Sequence, residues 1–136
     1  MYETFDHTAD LGLRIRADNL RGLFEEAARA LFSVMVVNYE LVRPVDRVSF
    51  KIEGTDRDEL LRDWLAELLY TFHARHLLLA QFEVRLDQAG LTATAGSEPF
   101  DPQRHEVDLE LKAVTYHGLK VQQQPDGWLA EVIVDV

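Results

Sequence analysis

Along the chain the apolar positions change period repeatedly, and each change marks an element. In LGLRIRA, residues 11–17, Leu11, Leu13 and Ile15 alternate with Gly12, Arg14 and Arg16, the period of two that predicts a strand with one buried and one wet face. Leu20, Leu23, Phe24, Ala27, Leu31, Val34 and Met35 then recur at the 3.6-residue period of an amphipathic helix, for which Asp18 or Asn19 supplies an N-cap. Pro44 interrupts ahead of a short strand, RVSFKI over 47–52, in which Val48, Phe50 and Ile52 alternate with Arg47, Ser49 and Lys51. A second helix is predicted in TDRDELLRDWLAELLYTFHARH, residues 55–76. Thr55 and Asp58 have the spacing of a capping box, and Leu60, Leu61, Trp64, Leu65, Leu68, Leu69 and Phe72 form a broad apolar stripe. His73, Arg75 and His76 place cationic groups in the last turn, at the negative end of the helix dipole.

From residue 81 the pattern turns to strands: QFEVRLD (81–87), LTATA (91–95), VDLELKAVTY (107–116), GLKVQQQ (118–124) and WLAEVIVDV (128–136). Pro125, Asp126 and Gly127 mark the last two as a hairpin, and GSEPFDPQRHE (96–106) reads as the longest irregular loop. No repeat, low-complexity tract or linker divides the sequence. Residues 1–136 are therefore expected to form a single α+β domain of two layers, with two helices covering one face of a mostly antiparallel sheet.

A chain of 136 residues can bury roughly two thirds of its unfolded surface, so it needs no staple to hold a core. The absence of cysteine removes disulfides, thiolate metal sites and cysteine nucleophiles together, and fits a reducing compartment. MYETFDHTAD lacks the basic and then apolar regions of a secretory leader, and no apolar run approaches the roughly 18 residues of a membrane span. A cytoplasmic location without membrane association is expected. Fourteen Lys and Arg against 24 Asp and Glu give a net charge of −10, opposite to the field that draws nucleic acid, so tight direct binding to RNA or DNA is not expected.

Charge then directs attention to the two ends of the chain. Asp10 falls in the polar register of the first strand. In the last strand Trp128, Ala130, Val132, Val134 and Val136 share the predicted core face, while Leu129, Glu131, Ile133 and Asp135 share the other. If the first and last strands are neighbours, Asp10, Asp135 and the α-carboxylate of Val136 converge as an oxygen-only site suited to Ca²⁺, Mg²⁺ or Mn²⁺. Taken singly, an Asp before a strand is more often a turn former and an Asp near the end of a chain a solvated group.

Other polar residues read more plainly. His73 and His76 have an i, i+3 spacing that can ligate zinc, but no third ligand lies near in sequence, and a helix-terminal role is the stronger reading. His7 can orient a carboxylate or simply sit half-buried. His105 is expected in an exposed turn, and Glu98, Asp101, His105 and Glu106 together read as a solvated loop or, alternatively, part of a contact surface. KAVTYHGL, residues 112–119, gathers Lys112, Thr115, Tyr116 and His117 at a strand and its turn. No GxSxG, Gly-rich phosphate loop, CxxC or HExxH is present, which leaves no familiar motif for a stand-alone enzyme.

HTADLG near the start, DWLAELLY in the second helix, RHEVDLELKAVTYHGL and the closing WLAEVIVDV resemble, in this order and over essentially the whole chain, the archease family. The resemblance implies a compact α+β domain that is a protein cofactor rather than an enzyme in its own right. Its implied partner is an RtcB-type RNA ligase, which seals 2′,3′-cyclic phosphate and 5′-hydroxyl ends in tRNA splicing and RNA repair using GTP and divalent metal. The cofactor would promote formation of the ligase–guanylate intermediate and repeated turnover. The resemblance further implies that Asp10, Asp135 and Val136 ligate a divalent cation, Ca²⁺ first and Mg²⁺ or Mn²⁺ as alternatives, and that Lys112 is functional. Leu11 stands where isoleucine commonly follows the HTAD motif, a conservative change. An acidic chain acting in an RNA pathway is then expected to meet the basic cleft of the ligase rather than the RNA. Two other readings stand beside this one: a chaperone-like modulator of RNA-modifying enzymes, and a small metal-dependent phosphoesterase using Asp10, Asp135 and His117.

Overall fold

A computed structural model describes residues 1–7 and 10–136, and within them the strands divide into two antiparallel sheets. The chain runs β1 (Tyr2–His7), β2 (Asp10–Ala17), α1 (Leu20–Met35), a 3₁₀ turn (Tyr39–Leu41), β3 (Asp46–Glu53), α2 (Arg57–Arg75), β4 (Leu77–Asp87), β5 (Gly90–Pro99), β6 (Ala113–Val114), β7 (Lys120–Gln124) and β8 (Gly127–Asp135). The larger sheet has the order β1-β2-β8-β6, with β7 also paired to β8, and the smaller has the order β3-β5-β4. The α+β class with two helices on antiparallel strands is as expected; the division into two sheets differs from the single sheet that the pattern suggested. α1 contacts β2 and β8 of the larger sheet and β4 of the smaller, and α2 likewise touches strands of both. The helices therefore join two sheets through one continuous core.

The alternations place most of the core where they predict it, but Leu129 and Ile133, on the face of β8 read as polar, are also buried, and Val136, read into the core, is exposed. Leu13 and Ile15 of β2, Ala130, Val132 and Val134 of β8, and the stripes of both helices are buried. Trp64 is fully buried on α2; its indole N–H donates to the carbonyl of Phe24 on α1 at 3.0 Å, so the largest core side chain also has its polar atom satisfied. The caps follow hydrogen-bond strength. Asn19 Oδ1 accepts from Gly22 N at 2.7 Å to start α1, and Asp56, not Thr55, caps α2 by accepting from Glu59 N at 3.1 Å, since a carboxylate also suits the positive end of the dipole.

Four elements depart from the pattern. β1 was not foreseen, because YETFDH as an edge strand has no alternating buried face. β5 continues through Pro99 into the segment read as loop, and β4 begins at Leu77, with a bulge between Ala80 and Glu83 at which Gln81 adopts φ 56°. Conversely, the strand predicted over 107–116 shrinks to Ala113–Val114. Among the described residues no helix is long and apolar enough to cross a membrane.

Candidate functional site

β2 and β8 are paired side by side, which brings together the regions that carry Asp10 and Asp135. Their register sets Leu11 against Val134 and Leu13 against Val132, and one further step sets Asp10 opposite Asp135. On the flanks His7 of β1 faces Asp10, and Ala113 of β6 faces Asp135. One row across four strands thus reads His7, Asp10, Asp135, Ala113, on the sheet face away from Leu13 and the core. Thr8 and Ala9 of the HTAD motif lie outside the described residues.

The electrostatics of this row are unusual when set against the row four residues along. There Glu3, Arg14, Glu131 and Lys120 alternate in sign across β1, β2, β8 and β7, with Arg14 Nη1 3.1 Å from Glu3, Arg14 Nη2 2.8 Å from Glu131 and Lys120 Nζ 2.7 Å from Glu131. Lys120 first, then Arg14, holds the Glu131 carboxyl below its ordinary value against the opposing effect of burial. Between the two rows the Phe5 ring lies over Gly12, so close that a β-carbon there would stand 2.3 Å from the ring, and the Arg14 guanidinium lies over that ring, 4.7 Å from its centroid. In the acid row, among the described residues, neither Asp10 nor Asp135 forms an ion pair with Lys or Arg; Asp10 Oδ2 has only His7 Nδ1 at 3.9 Å. Like charges directly opposite on adjacent strands repel.

Lys112 reaches this edge through its backbone: its N–H donates to the carbonyl oxygen of Asp135 at 2.8 Å. Val136 follows at the sheet edge and is 39% exposed. Among the described residues no group of three or more His, Asp or Glu side chains is placed to hold a metal ion. Oxygens of Asp10, of Asp135 and of the Val136 main chain are the hard donors at this end of the sheet that could hold Ca²⁺, Mg²⁺ or Mn²⁺.

The other candidates separate. His73 Nε2 donates to the Leu111 carbonyl at 2.8 Å, outside the helix, whereas His76 forms the left-handed C-cap of α2 with φ 55°, so the two do not act as a pair. His117 turns at the surface, its N–H donating to Thr115 Oγ1 at 3.2 Å, and among the described residues no hydrogen bond or ion pair joins it to Asp10 or Asp135.

His105 and Glu98 overturn the expectation of a solvated loop. His105 is 3% exposed and Glu98 8%. Glu98 accepts from the Arg43 N–H at 2.7 Å, His105 Nε2 at 2.9 Å and Arg104 Nε at 3.1 Å, while His105 Nδ1 accepts from the Asp101 N–H at 3.0 Å. The ring is therefore the Nε2–H tautomer. Burial pushes the Glu98 carboxyl up, but the three donors overcome it and bring the group down to about 2. This network ties the 98–106 segment to the stretch after α1. Its members have no periodic spacing, so only the donors of distant segments identify it.

A model of the archease protein family matches residues 2–136. An archease from Pyrococcus furiosus is 38% identical over 140 residues, covering 99% of this chain and 98% of that protein. One from Methanopyrus kandleri is 39% identical over 139 residues, covering 99% of each. The solution structure of Methanobacterium thermoautotrophicum protein 1598 superposes with a TM-score of 0.83 at 36% identity, covering 99% of this chain and 98% of that one. The crystal structure of an archease from Thermotoga maritima, described as a possible chaperone, shares the fold with a TM-score of 0.69 at 19% identity, covering 100% of this chain and 98% of that one.

Proposed function

Because the chain belongs to the archease family, we propose that it acts as a protein cofactor of an RtcB-type RNA ligase, promoting guanylylation of the ligase and its repeated turnover in tRNA splicing and RNA repair. The protein itself is non-catalytic in this reading. The observation that carries it is the β2–β8 pairing, which sets Leu11 against Val134 and so makes Asp10 and Asp135 the next residues along, with no Lys or Arg paired to either among the described residues. An edge of unneutralised acid on a chain of net charge −10 complements a basic, phosphate-binding cleft and is poorly suited to RNA itself.

Asp10, Asp135 and the main-chain oxygens of Val136 would hold a divalent cation, with Ca²⁺ first by its tolerance of irregular oxygen shells. A bound ion supplies a concentrated positive charge that offsets the repulsion between the acids and can meet phosphate oxygens. Lys112, whose main chain is fastened to that of Asp135, would be the lysine with a role beside that edge.

The test is formation of the ligase–GMP adduct with and without this protein. Stimulation at substoichiometric amounts is expected, and Asp10→Ala and Asp135→Ala should each abolish it while folding normally. Full stimulation by both variants would remove the acid edge from the mechanism. A chaperone role is the second reading, favoured by the description of the Thermotoga maritima relative and by three exposed apolar residues close in sequence, Val37 (57% exposed), Leu41 (51%) and Val45 (69%). It predicts protection of an unfolding ligase from aggregation without any gain in guanylylation.

A further inference from the structure

The strap that carries Lys112 has almost no strand of its own. β6 is two residues long, and it lies at the edge of the larger sheet, where among the described residues one side of its backbone has no strand partner. Helix α2 supplies the missing partners. The Leu111 carbonyl accepts from His73 Nε2 at 2.8 Å, and the N–H on the same peptide unit, that of Lys112, donates to the Asp135 carbonyl at 2.8 Å. The Val114 carbonyl accepts from Arg62 Nε at 3.1 Å, and the N–H on that same peptide unit, that of Thr115, donates to the Ile133 carbonyl at 3.0 Å. Two peptide groups are thus gripped from both sides, by β8 through their N–H and by α2 through their oxygens. A carbonyl only accepts, so the His73 ring carries its proton on Nε2.

The two grips differ in what they hold. Arg62 fixes the peptide opposite Ile133, an apolar residue, and its guanidinium also lies 4.6 Å over the ring of Tyr116. His73 fixes the peptide that joins Lys112 to Asp135. Donation into one end of a peptide dipole strengthens the bond at the other. We propose that His73 is a positioning residue of the acid edge: through a single peptide group it holds the Lys112 N–H on the Asp135 carbonyl, and so fixes the main chain from which both side chains spring. This rests on the cofactor reading for its functional consequence and on the hydrogen bonds alone for its structural one.

The test measures amide hydrogen exchange at Lys112 in the full chain for the wild type, His73→Ala, His73→Gln and Arg62→Ala, alongside stimulation of ligase guanylylation. Loss of the His73 bond should speed exchange at Lys112 roughly tenfold and lower stimulation, and glutamine, whose amide nitrogen sits near the place of Nε2, should restore both. Arg62→Ala should open Thr115 and leave Lys112 protected. Unchanged exchange at Lys112 in His73→Ala, failure of glutamine to restore it, or equal loosening by Arg62→Ala would each overturn the assignment. If the wild-type protein gives no stimulation, the cofactor role fails, and the exchange comparison still decides the position of His73.

Discussion

Glu98 and Asp135 are both strand carboxylates near the end of their strands, yet Glu98 is enclosed by the Arg43 N–H, Arg104 and His105, whereas Asp135 faces Asp10. The first arrangement makes a negative charge part of the fold. The second leaves the charge available to something outside the chain. In a native domain an unpartnered acid pair is a small destabilising feature, and its presence beside the fully alternating row of Glu3, Arg14, Glu131 and Lys120 shows that the same sheet face was capable of neutralising its acids. The contrast between stabilising and poised carboxylates can be broken or sharpened by substitution.

The largest effect is expected at Glu98. Replacing it with alanine strands the His105 ring, the Arg43 N–H and the Arg104 guanidinium, and breaking a buried charged network by removing one partner should cost about 3 kcal/mol, or a fall of roughly 10 °C in Tm. Thermal unfolding followed by circular dichroism measures this, and a Tm within about 2 °C of the wild type would mean that Glu98 is no more structural than a surface acid.

The same network predicts the acid limb of stability. Glu98 titrates at about 2 in the folded chain, below its ordinary 4.5, so its contribution is fully present above about pH 4.5 and drains away as pH falls toward 2. Urea midpoints taken from pH 6 down to pH 2.5 should fall steeply in the wild type and less steeply in Glu98→Gln. Parallel curves would assign the acid limb to other carboxylates.

How much of this was legible from sequence depends on the range of the interactions. The alternation in LGLRIRA and WLAEVIVDV correctly put Leu13, Ile15, Ala130, Val132 and Val134 inside, because a period of two is a local property of each strand. It also put Asp10 and Asp135 on polar registers, but their adjacency needs the β2–β8 pairing, which joins opposite ends of the chain and leaves no local trace. Glu98 and His105 were misread for the same reason in reverse. Pro, Gly and charged neighbours give 96–106 the composition of a solvated loop, while its burial comes from the segment around Arg43. The bond of His73 to Leu111 was hidden too, since a histidine in the last turn of a helix suffices to explain itself by the dipole.

Glu131 provides the intermediate case, an acid on the same face as Asp135 but with cations on both sides. Glu131→Ala should lower stability by about 1 kcal/mol, less at high salt, because a network of partly exposed ion pairs is screened by solvent and ions. A loss that does not shrink in 1 M NaCl would point to packing rather than charge as the role of this side chain.

The smallest effect on folding, and the most discriminating, is expected at the acid pair. Asp10→Asn and Asp135→Asn each remove half of a like-charge contact, so in EDTA both variants should unfold within about 0.5 kcal/mol of the wild type and on its stable side. Adding Ca²⁺ should then separate them. An ion bound only by the folded chain raises its Tm in proportion to RT ln(1 + [Ca²⁺]/Kd), an increase that the wild type should show and the asparagine variants should lose. If Ca²⁺, Mg²⁺ and Mn²⁺ all leave the wild-type Tm where EDTA put it, the acids are poised for a positively charged protein surface rather than for an ion. If the variants instead unfold several degrees lower in EDTA, Asp10 and Asp135 belong with Glu98 among the carboxylates that hold the fold together.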